Sequence, residues 1–186
     1  MNIFILDQDP IKAAKLQCDK HIVKMVTESA QMLSTAHRLL DGTETLRKSK
    51  SGKRLVKYWS LDGEIENILM KAVHTGHPCT VWTMASKENY DWHWEHYKAL
   101  SDEYTYRYGK NHGAFYNNEI GYILKMTPAN IQSKGLTPFA LAMGSNPECI
   151  DESDPVTSYR KFYKTKQDRF DMKWKNRDIP EWFLYT

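Results

Sequence analysis

Between Asp19 and Leu40 the apolar residues Ile22, Met25, Val26, Met32, Leu33, Ala36 and Leu40 recur at helical spacing, and Asp41-Gly42 ends the pattern. That periodicity fixes one long amphipathic helix and makes the chain mainly helical. Ahead of it, Asp9-Pro10 reads as an N-cap followed by a first-turn proline, so a short helix is expected to begin there. Ile3 to Leu6 reads as a short strand or an extended arm.

Downstream, Thr43 to Lys53 is polar around Ser49-Lys50-Ser51-Gly52 and is predicted to be a mobile loop. A helix is expected over about Asp62 to His74. Thr80 to Tyr108 contains no Gly or Pro and ends at Gly109, which predicts one or two further helices. Gly and Pro are frequent from Gly109 to Pro155, so short helices and ordered loops are expected there, with a little strand at most. Asp154-Pro155 predicts a last helix running to about Trp174, followed by a docking tail at Ile179 to Phe183. Trp92, Trp94 and the neighbouring tyrosines are of a kind more often found in a core than in a site, and the sequence does not fix their role.

A chain of 186 residues with 41% apolar and 26% charged residues is long enough to bury a core without staples. The expected fold class is therefore mainly α: one compact helical bundle over residues 1–186, with irregular loops and little or no β. Cys18, Cys79 and Cys149 are odd in number and widely spaced, which argues against a disulfide framework and for a reducing compartment. The start, Met1-Asn2-Ile3-Phe4-Ile5-Leu6-Asp7, has no basic leader and too short an apolar run for a membrane segment. A cytoplasmic protein is expected, in the host cytoplasm if viral, monomeric and with no membrane partner.

Net charge is only +3, so its distribution matters more than its sum. From Val156 to Arg177 stand Arg160, Lys161, Lys164, Lys166, Arg169, Lys173, Lys175 and Arg177, against Asp168 and Asp171. Tyr159, Phe162, Tyr163, Phe170 and Trp174 are interleaved with them. Cations attract phosphate and aromatic faces stack on bases, which points to nucleic acid, although an amphipathic helix with inward aromatics gives the same interleaving. A second basic stretch runs through Arg47, Lys48, Lys50, Lys53, Arg54 and Lys57.

Within the first long helix, His21 and Glu28 are seven residues apart, which turns the helix by about 700° and leaves them about 20° apart on one face. Both fall where the apolar stripe meets the polar face of Lys24, Thr27 and Gln31. A carboxylate partly withdrawn from water there suits proton transfer or the stabilisation of a cation, though boundary pairs also serve structure. His74, His77 and Cys79, and His93 and His96 around Glu95, lack any paired CxxC or HExxH pattern. Capping and core hydrogen bonding are their expected roles, with no metal. Walker A, GxGxxG and GxSxG patterns are absent from the sequence, which excludes the nucleotide motors, dehydrogenases and hydrolases built on them.

Asp19-Lys20-His21 followed by Glu28, the Gly76-His77 step before a long helical segment, and the aromatic-basic run Tyr159 to Lys164 together resemble the bacteriophage endonuclease V family of pyrimidine-dimer DNA glycosylases. The resemblance covers about half of the chain and carries nothing over for Gly109 to Asp154. It implies a compact helical body on duplex DNA, an N-terminal α-amine that attacks C1′ of the damaged nucleotide, a glutamate that supports the imino intermediate, and no cofactor. Asn2 is bulky, so Met1 is expected to be retained; the nucleophile is then the Met1 amine, a lysine such as Lys20 or Lys24, or absent. An α-amine is a credible nucleophile because it gives up its proton more readily than a lysine.

The expected function is DNA base excision on damaged or modified pyrimidines in duplex DNA, with or without AP-lyase activity. Glu28, His21 and Met1 are the candidate catalytic residues, and Lys20, Lys24, Tyr159, Arg160, Lys161, Tyr163 and Lys164 the candidate DNA contacts. The alternatives are a non-catalytic DNA-binding or phage-type regulatory protein, and an enzyme acting on free, modified nucleotides.

Overall fold

The computed structural model describes residues 1–49 and 51–184; Lys50 of the basic stretch lies outside them. Mainly helical architecture is observed. Helix α1 (Pro10–Lys15) starts where Asp9 accepts hydrogen bonds from the amides of Ile11 and Lys12, contacts that lower the Asp9 pKa. Helix α2 (Asp19–Asp41) buries Ile22, Met25, Val26, Ala30, Met32, Leu33 and Ala36, the stripe read from the sequence. No helix among the described residues is long and apolar enough to cross a membrane.

Two helices occupy the long segment without Gly or Pro. Helix α4 (Pro78–Ala85) and helix α5 (Lys87–Tyr108) are separated by Ser86, whose extended backbone breaks the run and whose hydroxyl caps Asn89. Gly109 ends α5 at φ 67°, a left-handed conformation in which glycine carries no Cβ penalty. Helix α5 packs on both α1 and α2. The single turns α6 (Gly113–Tyr116) and α7 (Ile120–Ile123), then loops, lead to α8 (Pro155–Lys164) and α9 (Glu181–Leu184).

The chain start threads this assembly. Ile3, Phe4, Ile5 and Leu6 are all buried, yet they pair with no strand among the described residues. Buried backbone groups need partners, and side chains supply them: Gln17 donates to the Ile3 carbonyl, Arg160 to the Leu6 carbonyl, and the Asn2 Oδ1 accepts from the amides of Ile3 and Phe4. The reading of this segment as an arm holds; the reading as a strand does not.

Three expectations are corrected. The first half of the expected loop is a strand: β1 (Thr43–Lys48) pairs antiparallel with β2 (Leu55–Ser60), with Thr43 opposite Ser60 and Lys48 opposite Leu55, while Ser49 and Ser51–Lys53 lie in the connection between them. Every residue of β1 is exposed, so its sequence carries no apolar alternation to mark it as a strand. Between Asp62 and His74 only one turn, α3 (Ile65–Ile68), is helical. The buried Arg38 guanidinium takes the carbonyls of Glu66, Leu69 and Met70 together with that of Trp59 and the Glu66 carboxylate. Carbonyls turned onto Arg38 cannot continue a helical ladder. Finally, α8 stops at Lys164 instead of reaching Trp174, because Thr165 folds its hydroxyl back onto the Phe162 carbonyl and Lys166 buries its ammonium 3.4 Å over the Phe162 ring.

All three cysteines are free and buried, and burial pushes the Cys79 thiol up to about 11.

Candidate active site at the chain start

Helix α2 presents His21, Lys24, Met25 and Glu28 along one stripe, and the chain start crosses that stripe. The amino-terminal nitrogen of Met1 lies 3.7 Å from Glu28 Oε2, and the Asn2 amide donates to the same oxygen at 3.0 Å. Lys24 pairs with the other oxygen at 3.0 Å. Glu28 is only 12% exposed, whereas Lys24 is 64% exposed, so one oxygen faces the protein and the other faces an accessible cation.

The register of the chain start depends on Asn2. Its Nδ2 donates to the Ala142 carbonyl at 2.9 Å while Oδ1 holds the next two amides. Phe4 then adopts φ 58°, a left-handed conformation that costs a non-glycine residue about 1–2 kcal/mol. The turn stacks the Phe4 ring on His21, with centroids 4.6 Å apart. His77 caps α4 by accepting from the Cys79 amide; burial first, then the amino-terminal charge, lower its pKa.

His21 is wedged between Phe4, Tyr163 and Phe170. Burial, and then the Lys24 and Lys166 charges, bring its pKa down to about 4, so the imidazole is neutral at neutral pH. Its tautomer follows from Tyr163. The phenol oxygen accepts from the Cys18 amide at 2.8 Å and lies 2.6 Å from His21 Nδ1, and burial holds its own proton on. The phenol therefore donates to Nδ1, and Nε2 carries the imidazole N–H.

Met1, Asn2, Phe4, His21, Lys24 and Glu28 line a cavity of about 270 Å³, whose wall also includes Lys166, Arg169 and Phe170. Glu28 is the one carboxylate in that lining, against the cations Lys24, Lys166 and Arg169. Lys20 stands outside on the rim, exposed, with its ammonium 4.6 Å over Phe170. The volume suits a sugar with part of a base, slightly below the usual range for small-molecule pockets.

The structure thus brings together Met1, His21, Lys24 and Glu28, with Lys20 at the edge. Of the C-terminal run it brings Phe162 to the cavity wall and Tyr163 to His21, and the run does not serve throughout as the DNA contact expected of it. Tyr159 and Tyr163 are fully buried: the Tyr159 hydroxyl donates to the Ala140 carbonyl and accepts from the Ala142 amide, and Tyr163 orients His21. Neither ring can stack on a base, a correction explained by the inward face of an amphipathic helix. Arg160, Lys161 and Lys164 line a separate concavity of about 220 Å³ with Trp182. The cations that α8 and its following turn deliver to the site are instead Lys166 and Arg169, two residues of the basic run that spacing alone did not separate from the rest.

His93 and His96 make hydrogen bonds inside the core. His96 donates from Nδ1 to the Pro10 carbonyl and accepts at Nε2 from Gln17; His93 bonds Thr83. Among the described residues no group of three or more His, Cys, Asp or Glu is placed to hold a metal ion. A larger concavity of about 590 Å³ lies between α1 and α5, but its ion pairs Lys98–Asp102 and Arg177–Glu103 are formed within the protein. Comparison of the chain with protein-family models, with curated proteins and with solved structures returned no match.

Proposed function

We propose that this chain is a base-excision DNA glycosylase with associated lyase chemistry, acting on a damaged or modified pyrimidine in duplex DNA. One observation carries the reading: an α-amine 3.7 Å from a largely shielded carboxylate, in a cavity whose other charges are cationic. Amine, carboxylate and cations have distinct uses at the anomeric carbon of a nucleotide.

In that chemistry the neutral amine of residue 1 directs its lone pair to C1′. The new N–C1′ bond forms as the C1′–base bond breaks, and the base leaves with that electron pair and takes up a proton. Glu28 receives the proton that the attacking nitrogen sheds, passes it to the ring oxygen as the sugar opens, and as the regenerated carboxylate stabilises the cationic imine. Loss of a C2′ proton then expels the 3′ phosphate, and water releases the amine. His21 donates its Nε2 proton to a sugar or phosphate oxygen, and Lys24, Lys166 and Arg169 neutralise the flanking phosphates. Extruding the nucleotide costs a few kcal/mol, least at damaged pairs, which contributes selectivity.

The competing reading, a DNA-binding protein without catalysis, draws on the two contacts that occupy Glu28 from Lys24 and the chain start, since these suit a structural ion pair. The experiment that separates them is Glu28→Gln with base release and duplex affinity measured side by side on ultraviolet-irradiated DNA. Catalysis by Glu28 predicts a loss of roughly 10²- to 10⁴-fold in base release with duplex affinity retained. Equal release by both proteins contradicts it.

A further inference from the structure

The ribbon β1–β2 is anchored at its base and open beyond it. Arg38 holds the Trp59 carbonyl, Tyr58 hydrogen-bonds Glu66, and Gly42 leaves α2 so closely that a Cβ there would meet the Arg38 carbonyl oxygen at 2.4 Å. Every residue of β1 is exposed. The register divides the ribbon into two faces. On one, Tyr58 leans on the body with the Arg47 guanidinium 3.6 Å over its ring. On the other, Leu46 and Leu55 are 63% and 61% exposed, beside Lys48 and Lys57. An isolated ribbon of this kind has little stability of its own, and its charge is predominantly positive: Arg47, Lys48, Lys50, Lys53, Arg54 and Lys57 against Glu44 in the sequence from Thr43 to Ser60, with Lys57 paired to Glu44 at 2.9 Å and Arg47 3.8 Å from Glu66. A polyanion is the complementary partner.

Its position relative to the cavity follows from α2. Fourteen residues separate Glu28 from Gly42, which is about 20 Å of helix and a net rotation of only about 40°, so the ribbon leaves α2 on the side that carries Glu28. The segment from Lys71 to His77 returns along that side. Lys71 and Val73 help line a concavity of about 340 Å³ with Arg47, Lys48 and Lys57. The Val73 amide donates to Thr35 on α2, and His77 lies close enough to the chain start to be affected by its charge.

We propose that the β1–β2 ribbon is a second duplex-binding arm, entering the major groove about six base pairs from the nucleotide held at Glu28, given a rise of about 3.4 Å per base pair. The major groove admits a two-stranded ribbon, and the ribbon cations contact phosphates on its walls. The inference rests on the glycosylase reading for where the duplex lies.

The test is duplex affinity against salt. Lys48→Gln, Lys53→Gln, Arg54→Gln and Lys57→Gln are combined in one variant; all four residues are exposed, so its melting temperature should match that of the parent. A control combines Lys12→Gln, Lys110→Gln, Lys125→Gln and Lys134→Gln, which removes the same charge from other exposed positions. On an undamaged duplex of about two helical turns, the slope of log K against log salt should fall in magnitude by up to about 3.6 in the ribbon variant, at about 0.9 for each of four phosphate contacts. Its affinity near physiological salt should fall at least about tenfold, and the control should change the slope by less than 1. Lys48→Arg, Lys53→Arg and Lys57→Arg together should keep the parent slope. A ribbon slope equal to that of the parent, or no lower than that of the control, overturns the proposal.

Borohydride trapping on an abasic oligonucleotide too short to reach the ribbon separates this inference from the reading beneath it. Unchanged trapping by the ribbon variant, with its salt slope reduced, supports both. A reduced slope with no adduct from the parent supports the ribbon as a duplex contact and contradicts the glycosylase.

Discussion

At the residue scale, the site depends on Tyr163 holding one imidazole tautomer. Replacing it by Phe removes the donor to His21 Nδ1 and the acceptor of the Cys18 amide, in a region where an unpaired buried group costs about 1–3 kcal/mol. We expect Tyr163→Phe to lower stability by that amount in urea unfolding. It should also weaken lesion binding more than undamaged-duplex binding; an unchanged unfolding midpoint contradicts the hydrogen-bond assignment. Because burial keeps the His21 pKa at about 4, the imidazole does not titrate between about pH 5.5 and pH 8. His21→Gln is therefore expected to reduce base release without altering the shape of its pH profile across that window. A limb that disappears with the substitution would show instead that the imidazole exchanges a proton there.

At the scale of elements, Arg38 is the clamp between α2, the base of the ribbon and the one-turn α3. Arg38→Met should destabilise the fold by about 3–5 kcal/mol, since it leaves four carbonyls without their donor and takes the guanidinium from the Glu66 carboxylate, which keeps Tyr58 and the Leu61 amide; a loss below about 1 kcal/mol on urea unfolding would mean that water replaces it. The same residue explains which elements the sequence made legible. Helix α2 and the neighbourhood of His21 and Glu28 follow from local periodicity, and Asp9, Pro10 and Gly109 mark helix ends by local chemistry. What ends α3 early is a guanidinium from another helix; what encloses Tyr163 is Phe4 with Cys18 and His21, and what encloses Tyr159 is Ala140, Ala142 and Cys79. Neither is encoded in a window around the affected residues. Lys166 and Arg169 reach the cavity from beyond the end of α8 at Lys164, where spacing counted on a continuous helix to Trp174 carries no information about their direction.

At the scale of the whole molecule, burial of neutral histidines links stability to pH. His21 and His96 are held at about 4, and His93 well below its usual value, chiefly by burial. The folded protein therefore stays neutral at these rings while the unfolded chain takes up protons below about pH 6.5. Stability is full above that pH and is lost as pH falls toward about 4, by up to about 3 kcal/mol for each group at 4. The urea midpoint should drop between about pH 7 and pH 5, and the drop should shrink in His96→Gln; a midpoint constant over that range contradicts the burial of neutral rings. The molecule as a whole is organised around a buried chain start that delivers an amine to a carboxylate. The most direct measurement of that arrangement is borohydride reduction of the protein with abasic and ultraviolet-irradiated duplex DNA, followed by peptide mass spectrometry of the adduct. Mass added at the α-amine of residue 1, and lost in Glu28→Gln, is the predicted result; an adduct confined to Lys20 or Lys24, or no adduct on any lesion, contradicts the account.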